Sequence, residues 1–260
     1  MRDSFTEQEV ADYRTNGFLS VPDFLTPDEL AHWRAVVDAA VADVHRESSG
    51  RNSEKVFTQR MHLRRTSVAV KQLVEDPAIG CLVAALEEVD AVRLYLDQAL
   101  VKEPYGAPTQ YHLDIPWWSF ASPHACTLWV ALDDSTLENG CLYFVAGSQD
   151  LRLTAMGDLG PDLGAVFDAH PEAATRPTPV PLPAGGCSFH NGHTIHGAGA
   201  NMTPGRRRAM TTAFMPGDAR YNGHRDVGVL GEQYLDALTP GDRLDNDELL
   251  PVVHGYPRSQ

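Results

Sequence analysis

The fold class is set by the stretch CTLWVALDDSTLENGCLYFV, residues 126–145. Its two ends, 126–132 and 141–145, are short runs rich in β-branched and aromatic residues, which predict strands. The sequence Glu138-Asn139-Gly140 lies between them. Because Asn-Gly between two such runs is a strong hairpin signal, we expect the two strands to pair with each other. The stretch predicts a protein built on short strands.

Further strands are predicted on both sides of this stretch, at 93–102, 187–190 and 209–214. Prolines alternate at 177, 179, 181 and 183, directly before Gly185-Gly186. Proline cannot donate to a sheet ladder, so this pattern favours an extended or edge segment. The strand-rich part of the chain therefore begins near residue 92 and continues to about residue 214.

Helix starts precede the strands. Thr6 and Thr26 are each followed three residues later by Glu, which is the capping-box pattern, and Asn16-Gly17 provides a stop for the first helix. A third helix is expected to begin near Pro77. The second helix carries an apolar stripe that predicts packing on this protein's own sheet rather than on a partner helix: Leu30, Trp33, Val37, Ala40, Val41 and Val44.

Helices first and many short strands afterwards predict an α+β chain whose strands form a sandwich or a barrel. The length of 260 residues suits a single domain, 1–260.

The net charge of -14 argues against binding to nucleic acid or to an anionic membrane surface. No stretch of about 18 apolar residues occurs and the start MRDSFTEQEV has no apolar signal region, so we expect a cytoplasmic monomer or homodimer.

The four cysteines are widely spaced and form no CxxC pair: Cys81, Cys126, Cys141 and Cys187. They lie mostly within apolar runs. We expect buried, reduced thiols that pack as small hydrophobic side chains. A zinc site or a disulfide framework is the alternative.

Candidate metal ligands occur in the segment Gln110-Tyr111-His112-Leu113-Asp114. At strand spacing, residues two apart project from the same face, so His112 and Asp114 are expected to converge. Imidazole and carboxylate together suit a divalent first-row metal, and a second histidine from a distant strand would complete a 2-His-1-carboxylate triad with open positions for dioxygen and a co-substrate. Thiols are absent from this segment, which disfavours structural zinc.

A second cluster of histidines, His190, His193 and His196, precedes Gly197 and the arginine run 206–208. One of the three can supply the third ligand. The other two are then neighbours of the site or ordinary buried histidines. Spacing alone does not select among them.

These motifs, in this order, resemble the phytanoyl-CoA dioxygenase family over residues 5 to 216. The chain departs from the family pattern at Ala146, Gln149 and Gly185-Gly186, and none of these departures falls on an expected ligand or on the arginine. The resemblance rests on these segments: Asn16-Gly17-Phe18, Pro22-Asp23-Phe24-Leu25, His112-Leu113-Asp114, Trp129-Val130-Ala131-Leu132-Asp133-Asp134, Glu138-Asn139-Gly140-Cys141-Leu142, Gly147-Ser148, and His196-Gly197-Ala198-Gly199-Ala200-Asn201 with Arg207.

The resemblance implies a double-stranded β-helix (jelly-roll, cupin-like) core with the N-terminal helices packed outside. It also implies an iron(II) centre with 2-oxoglutarate as co-substrate. By its place before Gly197, His196 is the implied distal ligand, beside His112 and Asp114. Some relatives that halogenate carry a small residue in place of the carboxylate ligand, so the presence of Asp114 favours hydroxylation.

The resemblance further implies that Arg207 binds the far carboxylate of 2-oxoglutarate. A planar guanidinium pairs with a carboxylate through two hydrogen bonds, which lysine cannot copy. Arg206 and Arg208 are the near alternatives, because a slip of one residue along a strand exchanges its two faces.

Four more residues are candidate co-substrate contacts. Gln98 and Lys102 share a face of their predicted strand, and Lys102 resembles the family lysine that can reach 2-oxoglutarate. Thr127 and Trp129 share a face of the next predicted strand. Trp129 resembles the family tryptophan that walls the co-substrate pocket, and an ordinary core tryptophan is the alternative.

The resemblance implies an enzyme that uses dioxygen to hydroxylate an unactivated C–H bond of a small molecule. The usage of Ala, Arg and Gly and the small size of the chain favour bacterial secondary metabolism. Desaturation, cyclisation or epimerisation at the same site is one alternative, and a metal-binding jelly-roll protein without oxygenase activity is another. An acyl-CoA substrate is disfavoured because the sequence has no further basic patch that could bind its phosphates. Candidates for a wall over the iron are Phe57, Met61, Trp117, Trp118 and Phe120.

Overall fold

Helices dominate the first third of the molecule and strands dominate the rest. The computed structural model describes residues 1–43, 52–53, 57–153 and 162–255, with the backbone alone at 52, 53 and 57. The helices of these ranges are α1 (Glu7–Asn16), α2 (Pro27–Ala42), α3 (Leu63–Thr66), α4 (Val68–Val74), α5 (Pro77–Glu87), α6 (Ala165–Ala169), α7 (Val227–Leu230) and α8 (Glu232–Asp236). Within them, no helix has the length and apolar character needed to span a bilayer.

The strands form two antiparallel sheets that face each other. In the described ranges, the large sheet has the order β2-β3-β4-β11-β6-β9-β1, with β12 also paired to β4, and the small sheet has the order β5-β10-β7-β8. The strands are β1 (Phe18–Val21), β2 (Asn52–Ser53), β3 (Phe57–Met61), β4 (Val92–Lys102), β5 (Thr109–His112), β6 (Cys126–Ala131), β7 (Leu142–Phe144), β8 (Thr178–Val180), β9 (Cys187–Asn191), β10 (His196–Ala198), β11 (Arg207–Pro216) and β12 (Val252–His254).

The helix starts lie where the capping residues predict them. The Thr6 and Thr26 side chains each accept from the backbone N–H three residues later, and the glutamate at that position accepts from the capping residue in return. Proline occupies the first helical position of α2 and of α5. The predicted third helix is α5; two shorter helices, α3 and α4, come before it and were not predicted.

The main core lies between the helices and the outer face of the large sheet. Trp33, Val37 and Ala40 of α2 are buried there, and they share a cluster with outward residues of the large sheet such as Leu128 and Phe189. The prediction that the apolar stripe of α2 packs on this protein's own sheet is therefore confirmed for the described residues. The last residue of that stripe, Val44, lies outside them.

The hairpin prediction is wrong, although the turn itself is present. β6 belongs to the large sheet, between β11 and β9, whereas β7 belongs to the small sheet, between β10 and β8. The turn is held by the Asn139 side chain, whose Nδ2 donates to Asp134 O and whose Oδ1 accepts from Thr136 N, each at 2.7 Å. It therefore carries the chain from one sheet to the other. The proline segment lies as expected at a sheet edge, in β8.

The cysteine prediction is right for three residues and wrong for one. All four thiols are free, and Cys126, Cys141 and Cys187 are buried. Cys81 is exposed on α5, with its Sγ 3.2 Å from Nδ1 of His254. The face of α5 that carries Cys81 is turned to solvent, which the apolar sequence around it did not indicate.

Gly17 joins α1 to the strands of the site. It ends α1 in a left-handed conformation, with its N–H donating to Tyr13 O at 2.7 Å. Its carbonyl oxygen accepts from the Asn191 backbone N–H at 2.9 Å and from the Thr194 hydroxyl at 2.8 Å. Gln149, one of the departures from the family pattern, donates to Arg14 O at 3.0 Å and closes the same junction.

Replacing Gly17 by alanine is expected to destabilise the protein more than the same change at Gly147. Both glycines are left-handed, with φ and ψ of 78° and 2° at Gly17 and of 77° and -1° at Gly147, so the backbone strain is matched. A Cβ at Gly17 would overlap Gln149 Oε1 and Thr194 Oγ1, whereas at Gly147 the nearest atom is Thr15 O at 4.0 Å. Overpacking of this kind costs about 1–3 kcal/mol in the free energy of unfolding, which urea denaturation measures. Equal losses in the two variants would contradict the packing described here.

Candidate metal centre

Two histidines lie directly opposite each other in the small sheet. His112 ends β5 and is the register partner of His196, which begins β10. Their ring centroids are 4.2 Å apart. His112 Nδ1 lies 2.9 Å from Gln110 O, and His196 Nδ1 lies 3.0 Å from Thr194 O. Because a carbonyl oxygen can only accept, each Nδ1 carries the proton, and each Nε2 keeps its lone pair for a metal.

Asp114 reaches the same point by a different route from the one expected. β5 ends at His112, and Asp114, with φ -79° and ψ -42°, opens the 3-10 turn Ile115–Trp117. The expectation that strand alternation brings His112 and Asp114 together is therefore wrong; a turn of the chain does so. Asp114 Oδ1 lies 3.9 Å from His112 Nε2 and 3.8 Å from His196 Nε2.

These three side chains fit a divalent metal ion. One donor atom from each of His112, Asp114 and His196 lies within 4.8 Å of the other two. Two imidazoles and one carboxylate, with the remaining side open to a cavity, are the donor set of non-haem iron(II) centres. The backbone carbonyls behind the two imidazoles are the outer partners that orient metal-binding histidines in proteins.

The charges of the cluster are also those that metal binding requires. Burial lowers the pKa of His112 and of His196 to about 4, with a further contribution from a neighbouring imidazole in each case. Burial alone would raise the pKa of the Asp114 carboxyl, but the surrounding imidazoles of His196, His190 and His112 hold it well below its usual range. Near neutral pH the cluster thus presents neutral imidazoles and an ionised carboxylate, the forms that bind a divalent cation.

The large sheet faces Asp114 with two polar side chains. Thr127 on β6 and His190 on β9 are register partners. The Thr127 hydroxyl donates to Asp114 Oδ2 at 2.8 Å, and His190 Nε2 lies 3.3 Å from the same oxygen. Neither nitrogen of the buried His190 ring has a well-aligned hydrogen-bond partner among the described residues. Thr127, predicted as a co-substrate contact, thus makes its hydrogen bond to the aspartate.

Arg207 is the one arginine of its run that faces the cavity. It is buried, and its guanidinium carbon lies 5.0 Å from the centre of the Trp129 ring. Arg206 is exposed and pairs with Glu103 at 2.8 Å, and Arg208 pairs with Asp133 at 2.6 Å. Strand alternation therefore separates Arg207 from both of its neighbours, as the sequence predicts.

The guanidinium of Arg207 has an N–H group without a hydrogen-bond partner among the described residues. Its Nη2 donates to Gly140 O at 3.0 Å, and its Nε has no hydrogen-bond partner among the described residues. Burial lowers the pKa of Arg207 to about 10, so the group is still a cation at neutral pH. A buried cation with an unused N–H is costly without an anion. This position fits the carboxylate of a bound small molecule.

Gly140 shows what the Asn-Gly turn does for the site. Its φ of 92° suits glycine, and a Cβ there would overlap Gly199 O and lie 2.9 Å from Lys102 Cδ. The close approach of the turn to β10 and β4 brings the Gly140 carbonyl oxygen to Arg207. The Asn-Gly sequence thus correctly predicted a turn. In the fold, this turn supports Arg207.

The remaining predicted co-substrate contacts lie on the two sides of Arg207. Gln98 lines the cavity, where its Oε1 accepts from Gln59 Nε2. Lys102 is buried, and its Nζ donates to Ala107 O and to Gly199 O, each at 2.9 Å. Burial, with the nearby charge of Arg207, lowers the pKa of Lys102 to about 7. Its ammonium group is turned toward these carbonyl oxygens, so its contact with a co-substrate stays a prediction.

One cavity of about 830 Å³ lies between the two sheets and is lined by the metal-site and co-substrate candidates other than Lys102: His112, Asp114, His196, Thr127, His190, Arg207, Trp129 and Gln98. Of the predicted wall residues, Met61, Trp117 and Trp118 line it. Phe120 does not: it is fully buried and packs on Trp118, with ring centroids 5.4 Å apart. The side chain of Phe57 lies outside the described residues.

The sequence alone did not assign roles to three cavity residues: His190, Gln59 and Thr211. His190 could not be distinguished by spacing from His193 and His196. The structure places His193 away from the cavity, with its Nδ1 3.2 Å from Leu153 O. Gln59 and Thr211 also line the cavity, and the Thr211 hydroxyl has no partner among the described residues. Thr211 could have been found by strand alternation from Arg207, since both lie on one face of β11.

A jelly roll that holds two histidines, an aspartate and a buried arginine around one cavity defines the non-haem iron(II), 2-oxoglutarate-dependent class of oxygenase. The model of the phytanoyl-CoA dioxygenase family matches residues 13–209. The chain belongs to this family.

Relatives and solved structures agree with this class. A carbocyclase of nogalamycin biosynthesis, described as non-haem and alpha-ketoglutarate-dependent, is 28% identical with a TM-score of 0.80, and the match covers 96% of each chain. An epimerase of the same biosynthesis, in complex with Fe³⁺, alpha-ketoglutarate and nogalamycin RO, is 31% identical with a TM-score of 0.76 over 95% of this chain and 98% of that one. A methylphosphonate hydroxylase of Gimesia maris is 26% identical over 87% of this chain and 88% of its own.

Proposed function

We propose that this oxygenase binds iron(II) through His112, Asp114 and His196, anchors 2-oxoglutarate on Arg207, and hydroxylates an unactivated C–H bond of a small molecule. One observation carries the proposal: the three donor atoms lie within 4.8 Å of one another in a cavity that also contains the buried guanidinium of Arg207. A metal-binding protein without oxygenase activity would not need that arginine. An outward-pointing Arg207 would have favoured such a metal-binding protein over an oxygenase.

The protein contributes geometry, charge and exclusion of water. When bound, iron and 2-oxoglutarate supply the oxidising power for the reaction with dioxygen and the C–H bond. The Gln110 and Thr194 carbonyls hold the imidazoles of His112 and His196 with Nε2 toward the metal position. Asp114 supplies a negative charge there, which offsets part of the charge of a divalent cation.

Arg207 and Trp129 form the proposed co-substrate end of the cavity. The guanidinium is held from one side by Gly140 O and packed against the indole, which fixes the plane of its N–H fork. A fixed fork suits a carboxylate better than a mobile ammonium does, because both hydrogen bonds form at once. The far carboxylate of 2-oxoglutarate would take this place.

The other end of the cavity favours a bulky, largely uncharged substrate. Its described wall includes Met61, Leu96, Trp117 and Val227, with the Gln59–Gln98 amide pair as a polar contact. Arg225 lies at this end, but its side chain is 44% exposed and its guanidinium pairs with Asp236 at 2.7 Å. With Arg207 assigned to the co-substrate, the described wall leaves no unpaired arginine or lysine for a phosphonate, so a substrate like that of the Gimesia maris relative is disfavoured.

Ring closure or epimerisation is the second candidate, because the two nogalamycin enzymes with similar folds are named as a carbocyclase and an epimerase. These outcomes differ from hydroxylation only after hydrogen abstraction. The mass of the product separates them: hydroxylation adds one oxygen atom, ring closure removes two hydrogen atoms, and epimerisation leaves the mass unchanged. Both similar enzymes support a place in bacterial antibiotic biosynthesis. The cytoplasmic location, the single domain and the monomeric or homodimeric state stay predictions.

Alanine at His112 or at His196 is expected to abolish iron binding and turnover together. Each substitution removes one of three protein donors, and the two that remain cannot hold the ion. His190→Ala and His193→Ala are the matched controls and should keep most of the iron affinity, measured by competition with a chelator. Loss of iron in His193→Ala, with retention in His196→Ala, would contradict the assignment.

Arg207→Ala is expected to weaken 2-oxoglutarate binding by about a hundredfold or more, because two hydrogen bonds to a charged group are lost in a buried site. Arg207→Lys should recover only part of the affinity, since a point charge does not reproduce the fork. Iron affinity should change little in either variant. The charge-transfer band that forms when 2-oxoglutarate is added to iron-loaded protein without oxygen gives the affinity directly.

Arg206→Ala is the control for this titration, because Arg206 is exposed and pairs with Glu103 on the surface. It should bind 2-oxoglutarate like the wild type. An unchanged affinity in Arg207→Ala would remove the proposed anchor. A wild-type protein that forms no band would remove 2-oxoglutarate from the proposal altogether.

A further inference from the structure

The two oxygen atoms of Asp114 have different surroundings. Oδ1 faces the Nε2 atoms of His112 and His196, at 3.9 and 3.8 Å. Oδ2 is turned to the large sheet, where it accepts from Thr127 at 2.8 Å and lies 3.3 Å from His190 Nε2. One oxygen therefore belongs to the metal cluster and the other to the sheet behind it.

The backbone fixes this division. Thr127 and His190 are register partners in the large sheet, so their side chains emerge side by side on the same face. Both are buried, and the backbone N–H of Asp114 donates to Gly192 O at 3.1 Å. Gly192 follows directly after β9, so the strand that carries His190 also holds the main chain of Asp114. The carboxylate has little freedom to rotate.

We propose that Thr127 and His190 are positioning residues for Asp114: the Thr127 hydroxyl holds Oδ2 by a hydrogen bond, and the His190 ring lies beside it at 3.3 Å, so that the carboxylate offers the metal only Oδ1. This inference rests on the proposed iron site. A carboxylate that binds through both oxygens occupies two coordination positions. A carboxylate held at one oxygen occupies a single position and leaves the rest open for a chelating co-substrate and dioxygen. Thr127 and His190 thereby set how many positions the protein leaves open.

The first test removes the hydroxyl and keeps the shape. In Thr127→Val, Oδ2 loses its hydrogen bond and is free to turn to the metal. Metal affinity should stay the same or rise, while 2-oxoglutarate binding to the metal-loaded protein weakens by about tenfold, because 2-oxoglutarate must then displace Oδ2 from the metal. Thr127→Ser keeps a hydroxyl and should restore 2-oxoglutarate affinity. Thr212→Val, the same change on the outer face of β11, should behave like the wild type.

Infrared difference spectra upon metal addition read the carboxylate directly. A carboxylate bound through one oxygen shows widely separated asymmetric and symmetric stretches, and binding through both oxygens brings them together. We expect the wide separation in the wild type and a narrower one in Thr127→Val. His190→Leu should shift both readouts in the same direction by less, because its contact is longer.

Several outcomes would overturn the inference. A wild-type spectrum typical of two-oxygen binding would do so without any variant, even if Thr127→Val failed to fold. So would a folded Thr127→Val that binds metal and 2-oxoglutarate like the wild type, or a His190→Leu variant that loses the metal, since His190 would then be a ligand. A wild-type protein that binds no metal would overturn the proposed function, and this inference with it.

Discussion

The site depends on strand register in two sheets that face each other. In the small sheet, His112 is paired with His196; in the large sheet, Thr127 is paired with His190. Asp114 lies between the two pairs, with one oxygen toward each. Because a slip of one residue in either pairing would turn its side chains to the opposite face, the registers and the chemistry cannot vary independently.

The direction of side chains along the strand also sets the charge at the other end of the cavity. Arg207 begins β11 and points inward, whereas Arg206 before it and Arg208 after it point outward and pair with Glu103 and Asp133. Among the described residues, Arg207 has no carboxylate partner and contacts a carbonyl oxygen and an indole face. A buried cation in this state favours the binding of an anion at this end of the cavity.

Local features of the fold were predictable from the sequence, and long-range pairings were not. The helix starts at Thr6 and Thr26 follow from residues within one turn, and the inward position of Arg207 follows from alternation along one strand. The hairpin prediction failed because Asn139-Gly140 specifies a turn but not which sheet receives the next strand. That choice is made by packing between residues far apart in the chain.

The candidate site was likewise predictable from the sequence only in part. The pair His112 and Asp114 was recognisable by composition, although a turn rather than strand alternation brings the two together. The choice of His196 over His190 and His193 came from resemblance, since spacing treats the three alike. The place of His190 behind Asp114 required the register between β6 and β9, which no short segment encodes.

The most direct test of this account is a crystal structure of the protein with manganese(II), as an inert substitute for iron(II), and 2-oxoglutarate. The expected result is a metal ion bound by His112 Nε2, Asp114 Oδ1 and His196 Nε2, with the far carboxylate of 2-oxoglutarate on the guanidinium of Arg207. A metal ion bound by His190, or a 2-oxoglutarate carboxylate anchored away from Arg207, would contradict it.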